Sequence, residues 1–455
     1  MAFHDSSFDT AGRGFTGTTV AEVTPARAAR SVGRPARVAI AGFGTVGQSV
    51  ARLLQEMAPP ELQLAVILNR DVGRKRVDWL GPSVRWTESI DDALGDEVDI
   101  LVELIGGRTP AEDWIRRALR AGKPVVTANK QVIAHAGPEL LEEAARLGCP
   151  LRFEAAVAGG VPVVHAIEHG LAGDSLTRVA GILNGTCNYV LSRMERTRLP
   201  FAEALAEAQA LGFAEADPSQ DIEGFDAQAK LAILAHIALR AHVPASAIQS
   251  RRIDTIDAVD FMYAEQMGCT IRQVAWAERT ADPRVLTAAV GPMLVPFDSP
   301  LARVRGSENL VMLRGRFGGE TTFGGRGAGG EPTAVAVVSD LLAIAREAVP
   351  SATRAAAQPA AVSPEFTSAY YVRFMVADRP GIIAALAAVF ARHEINIDAI
   401  LQEPGFPPGR RPFVVSLDPA PSSAIDAAIA EMSAFDFHGE APVLLPVLST
   451  GAPGN

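Results

Sequence analysis

The segment VAIAGFGTVG, Val38–Gly47, limits what this chain can fold into more than any other. It opens with a short apolar run of strand type, and Gln48–Gln55 beyond it places apolar residues at helical spacing. A strand that turns at glycine straight into a helix starts a βαβ unit. Gly42 permits the tight turn, Gly44 lets backbone approach a pyrophosphate, and Gly47 lets helix pack on strand. The helix N-terminus favours an anion. A purely structural glycine turn would have the same letters, but in this strand-to-helix position the pattern predicts dinucleotide binding.

Further strands fit Leu62–Leu68, Asp99–Ile105 and Pro124–Ala128, with a helix over Ala111–Ala121. Such alternation predicts a parallel α/β sheet. An acid at the end of the second strand would mark NAD by holding the ribose 2′-hydroxyl. Here Asn69 and Arg70 follow Leu68, so Arg70 is available for a 2′-phosphate and NADP is weakly favoured over NAD; a solvated loop charge is the other reading.

After Phe153 the pattern changes. Thr177–Leu183 and Val285–Val295 read as strands, and Pro200–Leu211 and Asp226–Leu239 as helices. Phe317–Pro332 reads as turns leading into a helix over Thr333–Ala348, and Ser351–Ser363 as an Ala/Pro/Ser linker. Beyond it, Tyr370–Ala377, Gly381–His393, Ile395–Glu403, Phe413–Leu417, Ser423–Phe435 and Val443–Leu448 read as strand, helix, strand, strand, helix, strand.

The 455 residues suggest two to four domains at roughly 100–200 residues each. Lys and Arg number 42 against 52 Asp and Glu, a net charge of −10, which argues against a general nucleic-acid or anionic-membrane binder. Cys149, Cys187 and Cys269 are too few and scattered for a disulfide framework or a zinc site. No apolar run approaches the roughly 20 residues of a membrane span. Residues 1–35 read as a disordered tail, with an arginine-bearing transit peptide as the alternative. A cytoplasmic protein is expected.

Three further motifs carry chemistry. TANK ends a strand at Lys130, where doubly wound sheets place ligands, although a surface lysine there is unremarkable by itself. FEAAVAGGVP, Phe153–Pro162, has a glycine pair that forces irregular backbone, whose carbonyls suit a hard cation such as sodium or simply close a turn. GFAEADPSQDIEGFDAQAK, Gly212–Lys230, gathers Glu215, Asp217, Asp221 and Asp226 near Lys230. Asp226 and Lys230 lie four apart on one helix face. Carboxylates there would hold an ammonium, and a lysine beside them is a plausible proton-transfer group; an ordinary solvated helix start fits equally.

The segments AGFGTVG, TANK, EAAVAGGVP, GILNGTCNY, GFAEADPSQDIEGFDAQAK and GGRGAGGEPTA, in this order over roughly Arg37–Ala348, resemble those of the homoserine dehydrogenase family. The resemblance implies NAD(P)-dependent interconversion of L-homoserine and L-aspartate 4-semialdehyde, in the branch leading to threonine, methionine and isoleucine. It implies a Rossmann-type doubly wound cofactor domain (36–155, completed by 323–348) and an α+β substrate and dimerisation domain (156–322). By the same resemblance Lys230 is the proton donor, with Lys130 a second lysine near cofactor and substrate. Glu215, Asp221 and Asp226 hold the substrate. Gly42, Phe43, Gly44, Thr45, Val46, Gly47, Gly212 and Gly327 contact the cofactor, and backbone at Glu154, Val157, Gly159 and Val161 forms a sodium site. Oxidation of homoserine would favour alkaline pH, because the lysine must be neutral to accept the proton.

After a linker at 349–368, residues 369–449 resemble an ACT domain, a ferredoxin-like regulatory module. The resemblance rests on VADRPGII (Val376–Ile383) followed by HEINID (His393–Asp398). ACT domains bind amino acids at the turn made here by Asp378, Pro380 and Gly381, so feedback by L-threonine is expected, with a purely oligomerising module as the alternative. The resemblance also implies a homodimer or homotetramer. Two rival readings are an aldehyde-oxidising relative, which needs a cysteine nucleophile with a histidine base, and a non-catalytic sensor, which leaves Glu215, Asp226 and Lys230 without a task.

Overall fold

In a computed structural model, residues 34–346, 357–407 and 409–449 are described. The expected tail lies outside them, except for Arg34 and Pro35; Arg34 pairs with Asp99 at 2.7 Å. Six parallel strands, β1 (Ala36–Ala41), β2 (Leu62–Leu68), β3 (Arg85–Thr87), β4 (Ile100–Glu103), β5 (Val125–Thr127) and β6 (Leu151–Arg152), form a sheet in the order 3-2-1-4-5-6. This is the doubly wound order, whose switch point between β1 and β4 opens a crevice at the strand C-termini. Val38, Ile40, Leu101, Val102, Val125 and Val126 are fully or almost fully buried, as strands covered by helices on both faces must be.

The second sheet is mixed and contains Leu176–Ile182, Cys269–Arg279, Val285–Pro296, Glu308–Gly315 and Gly319–Arg326. The helix Phe225–Ala238 packs both on this sheet and on the helix Lys130–Arg146 of the first domain. Phe317–Pro332, expected as turns, instead contains the strand Gly319–Arg326, paired with Glu308–Gly315. Its small and polar residues around Phe323 suit its place at the edge of the sheet, where little is buried. The return to the cofactor domain therefore begins after Arg326, not at 323. The helix Gly330–Arg346 packs against the helix Thr45–Met57 and contributes Ala334, Val337, Leu341 and Ile344 to the cofactor-domain core.

The linker expectation also needs correcting. Residues 347–356 lie outside the described residues, but Gln358–Pro359 pairs with Ala241–His242, and Ala361–Ser363 pairs in parallel with Val285–Thr287. Backbone bonding thus ties this stretch to the second sheet and to Ala241–His242. The last domain has strands Thr367–Val376, Ile397–Leu401, Arg411–Pro421 and Val443–Pro446 in the spatial order second, third, first, fourth, with helices Ile382–Arg392 and Ser422–Met432. That is the ferredoxin-like arrangement. Tyr371, Val414, Val443 and Leu445 on this sheet share a core with Cys187, Ile222, Ile253 and Phe261 of the substrate domain. At its centre Arg373 Nε donates to Asp260 Oδ1 at 2.7 Å, and Tyr371 Oη donates to the same oxygen at 2.6 Å, all three side chains being buried.

Candidate active site

The crevice begins at Gly42, whose φ of 102° only glycine adopts without strain, and a Cβ there would meet the Leu104 carbonyl at 2.7 Å. At Gly47 a Cβ would lie 2.1 Å from the Gly42 oxygen, whereas at Gly44 it would meet nothing within 4 Å. Helix and strand are thus in backbone contact at Gly42 and Gly47, while Gly44, at the N-cap of Thr45–Met57, leaves room for a pyrophosphate. Phe43 is buried beneath the turn against Trp79 and Trp86. Arg70 is exposed just beyond β2.

At the end of β5, Thr127 Oγ1 donates to Glu103 Oε2 at 2.6 Å, and Asn129 accepts from Val132 N at 3.2 Å, capping the helix Lys130–Arg146. Burial pushes the Glu103 carboxyl above its ordinary range, against the bonds from Thr127, Ile105 and Asn129. This cap places Lys130 at the first helical position, facing the substrate domain.

There Lys130 and Lys230 converge on Asp226. Lys130 Nζ bonds Asp226 Oδ1, and Lys230 Nζ bonds Oδ2 at 2.7 Å. Lys230 also donates to the Leu183 carbonyl at 2.7 Å, which accepts from Asn309 Nδ2 at 2.9 Å as well. Burial opposes ionisation of Asp226, yet the two lysines hold its carboxyl well below the usual range. Burial likewise lowers Lys130, but Asp226, Asp221 and Glu215 outweigh it and raise the ammonium. Asp221 is half-buried, and burial pushes its carboxyl up. Glu215 is exposed, acting on Lys130 through space; Gly212 before it has φ 75°. Sequence reasoning thus named the groups that meet at Asp226, while Glu215 stands at the rim.

Asn184, Asn309 and Glu103 were missed. For Asn184 a signal existed: an Asn three residues before an N–H that needs a partner is a helix N-cap, here of Gly185–Thr197.

The segment expected to hold sodium is irregular. Ala158 and Gly159 are both left-handed, at φ 55° and 52°, and a Cβ on Gly159 would lie 2.3 Å from the Gly327 oxygen. The Glu154 carboxylate is already used, accepting from Val164 N at 2.9 Å and His165 N at 2.7 Å. Among the described residues no group of three or more acidic, His or Cys side chains could hold a metal. Cys187 is buried with its Sγ 3.1 Å from the Asp221 carbonyl, and burial pushes its thiol far above the ordinary range, the opposite of an activated nucleophile.

Residues 42–154 match the homoserine dehydrogenase NAD binding domain, residues 162–342 the homoserine dehydrogenase family, and residues 370–433 the ACT domain. The homoserine dehydrogenase of Mycobacterium tuberculosis is 41% identical over 412 residues, 88% of this chain and 93% of that one. The chain belongs to the homoserine dehydrogenase family. It is an oxidoreductase with a Rossmann-type nicotinamide-cofactor domain, a mixed-sheet substrate domain and a C-terminal ACT domain. The Synechocystis homoserine dehydrogenase is 37% identical, covering 91% of this chain and 99% of its own. Among solved structures, the Thiobacillus denitrificans homoserine dehydrogenase matches with TM-score 0.83 and 33% identity over 92% of this chain and 99% of its own. A hyperthermophilic archaeal homoserine dehydrogenase in complex with NADPH matches with TM-score 0.57 and 25% identity over 68% of this chain and 97% of its own. Among the described residues no helix is long and apolar enough to cross a membrane.

Proposed function

We propose that the chain interconverts L-aspartate 4-semialdehyde and L-homoserine with NADP(H) preferred over NAD(H), in the route to threonine, methionine and isoleucine, and that Lys230 is the proton-transfer group. The observation that carries this is the single buried carboxylate of Asp226 bonded by both Lys230 and Lys130 beside the switch-point crevice. When bound, the reduced nicotinamide supplies the hydride that reaches the aldehyde carbon. Lys230, held at two acceptors, delivers a proton to the developing alkoxide, and Lys130 adds positive charge beside it. Asp226, bonded by both lysines, sets their position, while Asp221 and Glu215 take the substrate ammonium. Arg70 takes the 2′-phosphate, and the glycine turn with Phe43, Thr45, Val46, Gly212 and Gly327 borders the cofactor. Backbone carbonyls near Val157, Gly159 and Val161, not the Glu154 carboxylate, take sodium. Threonine binds the ACT domain at Asp378–Gly381, where Gly381 has φ 95° and Asp378 pairs with Arg411 at 2.8 Å. The active form is a cytoplasmic homodimer or homotetramer.

The test is absorbance of reduced nicotinamide with L-homoserine and NADP⁺ at alkaline pH, for wild type and Lys230→Ala, with a threonine titration. Turnover that falls at least about 100-fold in the variant supports the reading. Absence of turnover with NADP⁺ and NAD⁺ alike, despite cofactor binding, overturns it.

A further inference from the structure

Asn184 is 4% exposed and stands where the strand Leu176–Ile182 passes into the helix Gly185–Thr197. Its Oδ1 accepts from Cys187 N at 2.8 Å. A backbone N–H can only donate, so the amide orientation is fixed and Nδ2 must face the other way. There Nδ2 donates to Asp221 Oδ1 at 2.6 Å and to Asp226 Oδ2 at 2.8 Å. One NH₂ group has two hydrogens, and each goes to a different carboxylate. These carboxylates come from separate helices, Ser219–Ile222 and Phe225–Ala238, joined by Gly224 at φ 83°. Without a shared donor, two acids this close would repel.

We propose that Asn184 is a positioning residue: its amide clamps Asp221 and Asp226 side by side, leaving Asp226 aimed at the two lysines and Asp221 aimed at the substrate ammonium. The helix cap is what makes the clamp rigid, because the same side chain is pinned at both ends. The inference rests on the substrate role given to Asp221 above. The groups facing Asp221 are Asp226 and Lys230 from Phe225–Ala238, Lys130 from Lys130–Arg146 and Cys187 from Gly185–Thr197. Burial pushes the Asp221 carboxyl up, the Asn184 bond is the strongest influence holding it down, the neighbouring Asp226 disfavours its charge and the two lysines favour it.

Three full-length variants separate clamp from cap. Asn184→Ser and Asn184→Asp both keep a good N-cap acceptor but lose the double donor, and Asn184→Ala loses both. With homoserine and cofactor, Asn184→Ser is expected to melt above Asn184→Ala, because it keeps the cap, and to lose about 10- to 100-fold in kcat/KM, as befits hydrogen bonds to charged groups. The loss falls mainly in homoserine KM, and the acid limb of the kcat/KM profile moves to higher pH. Asn184→Asp, which sets a third carboxylate against the pair, loses more. In an Asp221→Asn background, adding Asn184→Ser should cost several-fold less than it does alone. The proposal is overturned if Asn184→Ser stays within twofold of wild type with an unmoved acid limb, or if activity merely follows thermal stability across the three variants. An equal loss in the Asp221→Asn background overturns it as well. Wild type that fails to oxidise homoserine would instead remove the reading on which this one rests, so the two failures are distinct.

Discussion

Replacing Arg373 by Met removes the only guanidinium bonded to Asp260 among the described residues while nearly preserving side-chain length. Asp260 is fully buried, and besides Arg373 it accepts from Tyr371 Oη at 2.6 Å and Asp257 N at 2.7 Å. Arg373 in turn also donates to the Thr255 carbonyl at 3.2 Å. Stripping one partner from a buried pair costs about 3–5 kcal/mol, because the remaining charge stays desolvated. Applied to local opening between ACT and substrate domains, that raises the open population by roughly 150- to 5,000-fold. Amide exchange of Thr367–Val376, or protease sensitivity of full-length protein, reads this directly. The sign with pH is fixed as well. Burial outweighs Arg373 and lifts the folded Asp260 carboxyl above its unfolded value, so its contribution is fully present below that value and is lost as pH rises. Without Arg373 the carboxyl rises further, so the deficit of Arg373→Met should shrink toward pH 4 and widen toward neutrality. Arg373→Met with Asp260→Leu removes both charges and should recover most of the loss. Unchanged exchange in the single variant, or a double variant as open as the single, would refute the reasoning.

Gly47→Ala forces a Cβ to within 2.1 Å of the Gly42 oxygen, and no side-chain rotation moves either a Cβ or a backbone carbonyl away. It should destabilise the cofactor domain by about 1–3 kcal/mol and weaken dinucleotide binding more than tenfold, measured by thermal melting and calorimetric titration. Asp226→Asn deprives two lysines of one counter-charge and should lower kcat by more than about 100-fold, with a folded circular-dichroism spectrum. Arg70→Ala should raise Kd for NADPH about tenfold or more while leaving NADH within twofold, as fluorescence titration would show.

The cofactor domain was legible because parallel strands covered on both faces are apolar runs, and three glycines with different tasks leave a fixed spacing between them. The substrate sheet was harder. Cys269–Arg279 is almost wholly buried yet carries Arg272, whose charge is met at 2.8 Å by Glu195, far away in the chain, so its pattern does not read as core. Gly319–Arg326 hides for the opposite reason, being an exposed edge of small and polar residues. In the site, Lys230 and Asp226 announce themselves by local spacing. Asn184 announces only its helix cap, since its carboxylate partners are 37 and 42 residues away and only the fold brings them to one amide.

The helix Gly330–Arg346 completes a core begun at Ala36, with the whole substrate domain translated in between. During synthesis, strands β1–β6 leave the ribosome well before that helix. At about 5–20 residues per second, some 190 further residues take roughly 10–40 s. For that interval the nascent sheet lacks part of its cover on the face of Val38, Ile40 and Val102, an aggregation-prone surface. Production of this enzyme should therefore respond to chaperone supply and to translation speed between Arg152 and Gly330 more than to overall rate. Splitting the gene at either point would leave a first fragment that lacks part of the cover of its own sheet until the second arrives.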